Sequence, residues 1–202
     1  MTYPVAVIGA GSWGTALAVS LSRGGAETRL WGHLPDQMAE LEALRTNNQY
    51  LPGVVFPPSL QICTELEQCL DGVQDVLVVV PSGVFRMVLE QLLPFWSSDK
   101  RLVWAIKGFE HGTQILLHEV ASDVLGPAVP LAVLSGPSFA GEVALGLPTA
   151  LTVASLDSAF AGEFVERISS DALRAYVGSD VIATQIGGAV KNPMAIAAGI
   201  SD

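Results

Sequence analysis

The chain has 202 residues, half of them hydrophobic, and its 20 acidic and 10 basic side chains give a formal charge of −10. That length and apolar content can fill one sizeable core or two small ones, and the acidic balance argues against a nucleic-acid or anionic-membrane surface. Small anions are not excluded, because helix N-termini and a few local lysines can hold them inside an acidic protein.

Met1-Thr2-Tyr3-Pro4 runs straight into a β-branched stretch with no basic region before it. This is not the pattern of a signal peptide, and a cytoplasmic protein is expected. Val5–Ile8 reads as a buried parallel strand and Thr15–Ser22 as a helix, with Gly9, Gly11 and Gly14 between them in a G-x-G-x-x-G array. The first glycine permits the tight turn, the second lets a pyrophosphate approach the backbone, and the third lets helix and strand pack closely. The free N–H groups at the helix start complete an anion site. Trp13, at a variable position of the array, fits either a wall of that site or core packing.

Thr28–Trp31 is the second strand, and the window at its end reads Arg29, Leu30, Trp31, Gly32, His33, Leu34. An acid here would bind the ribose 2′-hydroxyl of NAD. Glu27 begins the strand and Asp36 lies beyond its end, so the position lacks one. NADP(H) is therefore expected to be accepted beside NAD(H), with Arg29 or the better placed His33 meeting the 2′-phosphate.

Further strands are expected at Val76–Val80, Leu102–Ile106, Leu131–Leu134, Ala150–Ala154 and Arg174–Val177. Amphipathic helical stretches at Asp36–Asn47, Val84–Leu93 and Gln114–Val124 alternate with them. This alternation predicts an α/β fold with a doubly wound, largely parallel sheet, covered on both faces and binding its ligand at the carboxyl ends of the strands. Tyr50–Ser59, with three prolines and a glycine, is expected to be an irregular loop. Cys63 and Cys69 fit neither a redox C-x-x-C nor a zinc spacing and read as reduced structural residues. His33, His111 and His118 form no ligand-like spacing, and no metal is expected.

The chain has three lysines, Lys100, Lys107 and Lys191. Lys107 follows a strand directly and so sits where ligands bind in such sheets. Ser138, in a Gly-Pro-Ser turn after the next strand, is a candidate N-cap, and the same turn could hold a polar substrate. From Val181 to Ile200 the sequence is helical in character, with Lys191 as its single charge. Gln185, Lys191, Asn192 and Pro193 are unsuited to a bilayer centre, so a buried helix, kinked or interrupted near Pro193, is expected. Burial and a neighbouring cation would lower the pKa of Lys191 toward that of a general acid or base. The expected organisation is a dinucleotide-binding domain over 1–180 and, over 181–202, the first helix of a helical domain that the chain does not complete.

Taken together, GAGSWGTALA at 9–18, IKGFE at 106–110, SGPSFAGEVA at 135–144 and GGAVKNPMAIAAGISD at 187–202 resemble the bacterial NAD(P)-dependent glycerol-3-phosphate dehydrogenases. The resemblance spans the chain, and its last three motifs are more specific than the glycine array. It implies a Rossmann-type domain that helps interconvert sn-glycerol 3-phosphate and dihydroxyacetone phosphate with NADP(H) or NAD(H), supplying phospholipid synthesis. It further implies a catalytic Lys191, cofactor contacts at Ser12, Trp13, His33, Lys107 and Ala140, and substrate contacts at Lys107, Gly136 and Ser138. In the full-length protein a homodimer is expected. Two rival readings are a β-hydroxyacid dehydrogenase of the 6-phosphogluconate type and a nonenzymatic dinucleotide-binding module. The SGPSFAGEVA and KNPMAIAAGISD segments favour the first reading over the one, and a buried lysine favours it over the other.

Overall fold

The computed structural model describes residues 3–201. The chain begins with β1 (Val5–Ile8), α1 (Ser12–Arg23), β2 (Thr28–Trp31) and α2 (Pro35–Leu44). It then forms β3 (Thr46–Asn47), β4 (Leu51–Val55), β5 (Leu60–Cys63), α3 (Leu66–Leu70), β6 (Asp75–Val78) and α4 (Phe85–Leu92). The remainder is β7 (Arg101–Trp104), α5 (Leu117–Leu125), β8 (Leu131–Ser135), α6 (Ala140–Ala144), β9 (Thr149–Ser155), α7 (Ser158–Ile168), β10 (Leu173–Gly178) and α8 (Val181–Ser201).

Eight strands form one sheet in the order β10-β9-β8-β7-β6-β1-β2-β5. After β1 the chain moves outward to β2 and β5, then returns to place β6 on the other side of β1, so the order switches between β1 and β6. Alternation within the central strands sends Val5, Val7, Leu77 and Val103 to one apolar layer. Ala6, Ile8, Val78 and Trp104 go to the other. Both faces are covered, as the near-continuous apolar runs of a parallel sheet require.

Two expectations are overturned, and the sheet, largely parallel as expected, reverses at one pairing. Tyr50–Ser59 is not an irregular loop: β4 pairs antiparallel with β3, Thr46 opposite Val55 and Asn47 opposite Leu51. Leu51, Val54 and Phe56 are buried there, and this burial repays an extended conformation despite the prolines, which a two-stranded ribbon tolerates on its outer edge. β9 runs antiparallel to β8. The connecting helix α6 rises only about 7.5 Å, too little to return the chain to the opposite end of the sheet, so it re-enters from the same end.

Helix α8 is not buried. Val181 and Gln185 are covered, but Ile182, Ile186, Val190, Met194, Ile196 and Ile200 are exposed. It also runs unbroken past position 193, because one proline removes a single backbone donor and leaves the rest of the ladder in place. Among the described residues no helix is long and apolar enough to cross a membrane.

Candidate functional site

The glycine array is the turn from β1 into α1. Gly9 has φ +123°, and a Cβ there would lie 2.1 Å from the carbonyl oxygen of Val79. At Gly14 a Cβ would lie 1.9 Å from the carbonyl oxygen of Gly9. Gly11 differs, with nothing within 4 Å of the equivalent point. No side chain caps α1, and its first backbone bond runs from Thr15 N–H to Gly11 O. The N–H groups of Ser12, Trp13 and Gly14 precede that bond and have no partner within the helix. Two glycines thus build the turn, while the third leaves open space beside a helix N-terminus, a site suited to phosphate.

This separation gives a paired expectation. Gly14→Ala should unfold the turn and lower the melting temperature sharply. Gly11→Ala, at a φ of −75° and with free space, should leave melting unchanged yet weaken dinucleotide binding about tenfold or more. Thermal melts beside NADPH titrations check both.

Loops at the carboxyl ends of β1, β6, β7 and β8 enclose a cavity of about 460 Å³, whose lining includes Gly11, Ser12, Trp13, Gly14, Lys107, Ser138 and Ala140. Trp13 satisfies both of its readings, since it walls this cavity and packs on the core. A second cavity of about 380 Å³ is lined by Ser135, Gly136, Thr152, Gly188 and Lys191, among others. Phe139, which the sequence reading passed over, links the two: it lines the first and lies 5.3 Å beneath the Lys191 ammonium. A large aromatic directly after the Gly-Pro-Ser turn, where a helix begins, was the available signal.

The position expected to be a general base is arranged differently from the sequence reading. Lys191 is half-buried rather than enclosed. It stands one turn after Gly188, where a Cβ would lie 3.0 Å from Ser135 Oγ and 3.8 Å from Lys107 Cγ. That close approach brings α8 onto the loop after β7. Lys107 remains solvent-accessible, yet partial burial lowers its pKa and the charge of Lys191 lowers it further. Two ammonium groups held together in this way are relieved by an anion between or beside them.

Two further expectations change. The N-cap of α6 is Phe139, without a side-chain bond, and Ser138 instead donates its N–H to Gly136 O at 3.1 Å and lines the cavity. Gly136 is required by packing, because a Cβ would lie 2.8 Å from Ala150 O. Arg29 is withdrawn from any 2′-phosphate, since its guanidinium donates to Gln68 O at 3.0 Å and Asp71 O at 2.6 Å. His33 is exposed beyond β2, outside both cavities. It alone of the two remains suited to a 2′-phosphate, so His33→Ala should lower the NADPH-to-NADH affinity ratio severalfold; calorimetric titration with each cofactor reads this directly.

The Lys107 loop is braced by Glu110. Arg86 Nε donates to Glu110 Oε1 at 2.6 Å and Thr113 Oγ1 to Oε2 at 2.5 Å, while Arg86 also pairs with Asp123. The Arg86 bond, then that from Thr113, holds the carboxyl below its ordinary value of 4.5. A depressed folded pKa means that ionised Glu110 stabilises the fold above the ordinary value and loses this contribution as pH falls through the folded one. Glu110→Gln should therefore melt below wild type at neutral pH, the gap closing as melts are taken at pH values falling below the ordinary 4.5 and through the lower folded value. Among the described residues no group of three or more His, Cys, Asp or Glu could hold a metal.

A glycine cradle at the switch point of a doubly wound sheet, an uncapped helix and cavities at the strand ends are the arrangement of a Rossmann-type dinucleotide-binding domain. The family described as NAD-dependent glycerol-3-phosphate dehydrogenase N-terminus matches residues 4–161, and the chain belongs to it. Glycerol-3-phosphate dehydrogenase (NAD(P)+) of Actinobacillus pleuropneumoniae serotype 3 is 52% identical over 200 residues, covering 98% of this chain and 60% of the relative. The enzyme of the same name from Vibrio campbellii is 54% identical over 197 residues, 97% of this chain and 57% of its own. A crystal structure of glycerol-3-phosphate dehydrogenase from Coxiella burnetii superposes with a TM-score of 0.93 at 45% identity, covering 100% of this chain and 61% of that one. The chain thus spans about three fifths of the length of these relatives.

Proposed function

We propose that this chain is the cofactor-binding part of an enzyme interconverting sn-glycerol 3-phosphate and dihydroxyacetone phosphate with NADP(H) or NAD(H), a supply of glycerol phosphate for phospholipids. The observation that carries the reading is Lys107 in the cavity of the glycine cradle with Lys191 lining the adjoining one, near enough for its charge to lower the Lys107 pKa. A cofactor needs the cradle, and a phosphorylated substrate needs the cations. Gly9, Gly11 and Gly14 with the Ser12 and Trp13 backbone would hold the pyrophosphate, His33 the adenosine end, and Ala140 and Lys107 the other end. When bound, the nicotinamide supplies hydride exchange with substrate C2. Lys191 as the free amine takes the C2 hydroxyl proton during oxidation and returns it to the carbonyl oxygen during reduction. Lys107 holds that oxygen, with Gly136 and Ser138 offering backbone and hydroxyl contacts.

We divide the chain into a Rossmann-type domain over 1–180 and the opening helix of a helical domain over 181–202. The apolar side chains that α8 exposes support this division. A homodimer of the complete protein and a cytoplasmic setting follow from the family resemblance. The test is NADPH oxidation by the complete protein on addition of dihydroxyacetone phosphate. Turnover with this ketone, and no NADP+ reduction when a β-hydroxyacid is offered instead, is expected; NADP+ reduction by the β-hydroxyacid without NADPH oxidation by dihydroxyacetone phosphate would remove the proposal.

A further inference from the structure

Ala10, between the first two glycines of the cradle, has a carbonyl that accepts two side-chain amides from separate elements. Gln37 Nε2 reaches it from α2 at 3.1 Å, and Asn47 Nδ2 reaches it from β3 at 3.0 Å. Asn47 is 1% exposed. It also donates to Thr15 Oγ1 at 2.9 Å and accepts the Tyr50 N–H at 3.3 Å. Helix α1 does not need this carbonyl, because its first backbone bond ends on Gly11 O. The amides therefore act on the peptide between Ala10 and Gly11 rather than on the helix.

Every peptide among the described residues is trans, so the C=O of Ala10 and the N–H of Gly11 point in opposite directions. Fastening the carbonyl toward α2 and β3 turns that N–H to the other side of the peptide plane. Both lone pairs of the carbonyl are occupied, so the plane cannot rotate without breaking two bonds. Of the three glycines in the array, Gly11 is also the one whose Cβ position meets only open space.

We infer that Asn47, seconded by Gln37, is a positioning residue for the cofactor: it presets the Gly11 N–H toward the pyrophosphate without touching the ligand. The inference rests on the dinucleotide reading above and adds a residue to it. The β3–β4 ribbon, an insertion between β2 and β5, then has a purpose in the site, since it delivers Asn47 to the cradle.

The test compares NADPH with adenosine 2′-phosphate, which has no pyrophosphate, in equilibrium titrations of the full chain. Asn47→Leu should weaken NADPH about tenfold or more and Gln37→Leu severalfold, while adenosine 2′-phosphate stays within about twofold in both. Gln37 is only half-buried, so its variant carries the comparison even where Asn47→Leu fails to fold. Equal losses for the two ligands, or unchanged NADPH affinity, would overturn the positioning role alone. Wild-type protein that ignores NADPH would overturn the cofactor reading and this role with it.

Discussion

Lys191→Ala in the complete protein is expected to lower kcat by about 10³-fold or more while NADPH affinity changes by no more than about twofold. The asymmetry follows from position. Lys191 lines the cavity with Ser135 and Gly136, whereas the glycine cradle belongs to the neighbouring one. A variant that removes the proposed proton acceptor thus leaves the proposed phosphate contacts of α1 in place. Lys191→Arg should not restore turnover, because a guanidinium stays charged and cannot accept the proton. Stopped-flow rates beside calorimetric titrations separate the two quantities. A variant retaining near-normal kcat would remove Lys191 from the chemistry.

Asp75→Ala should be the most destabilising single substitution of a charge, by about 3–5 kcal/mol. Asp75 is fully buried at the start of β6. It accepts from Arg101 Nε at 2.7 Å and pairs with Arg167 at 3.0 Å. Arg101 also pairs with Glu163 and lies 4.5 Å over the Phe160 ring. Removing the carboxylate takes a buried partner from two guanidiniums at once, leaving Arg101 with Glu163 and Arg167 with the Tyr3 carbonyl, so the cost is incompletely compensated desolvation rather than the loss of one bond. Because 1 kcal/mol moves the midpoint of a domain this size by about 2–4 °C, the melting temperature should fall by about 10 °C. The cluster lies at the amino ends of the strands, opposite the cradle, so NADPH affinity of the folded fraction should be unchanged. Asp75→Asn, which keeps one acceptor for Arg101, should cost less.

Strands β1 and β2 were legible to the residue, because each is a short run that a glycine ends, at Gly9 and Gly32. The remaining strands expected from the sequence fell within one or two residues, but β5, with an exposed residue in four, gave too weak a pattern. Direction was not legible: a strand-helix-strand pattern looks alike whether or not the helix is long enough to cross the sheet, and α6 is not. At the site, Gly11, Trp13, Lys107 and Ser138 were placed together by their positions after strands. The commitment of Arg29 to α3 and the amides on Ala10 depend on side chains meeting across the fold, which spacing along the chain does not encode. The exposure of α8 was hidden for a different reason. An apolar helix reads as buried whatever covers it, and here the described residues leave much of it in solvent.

The open space at Gly11 is the proposed pyrophosphate site. Calorimetric titration of the chain with NADPH and with NADH tests it most directly. Saturable one-to-one binding of both cofactors, reduced about tenfold or more by Gly11→Ala at unchanged melting temperature, is the expected result. Binding that Gly11→Ala leaves untouched, or no binding to the folded wild-type chain, would contradict it.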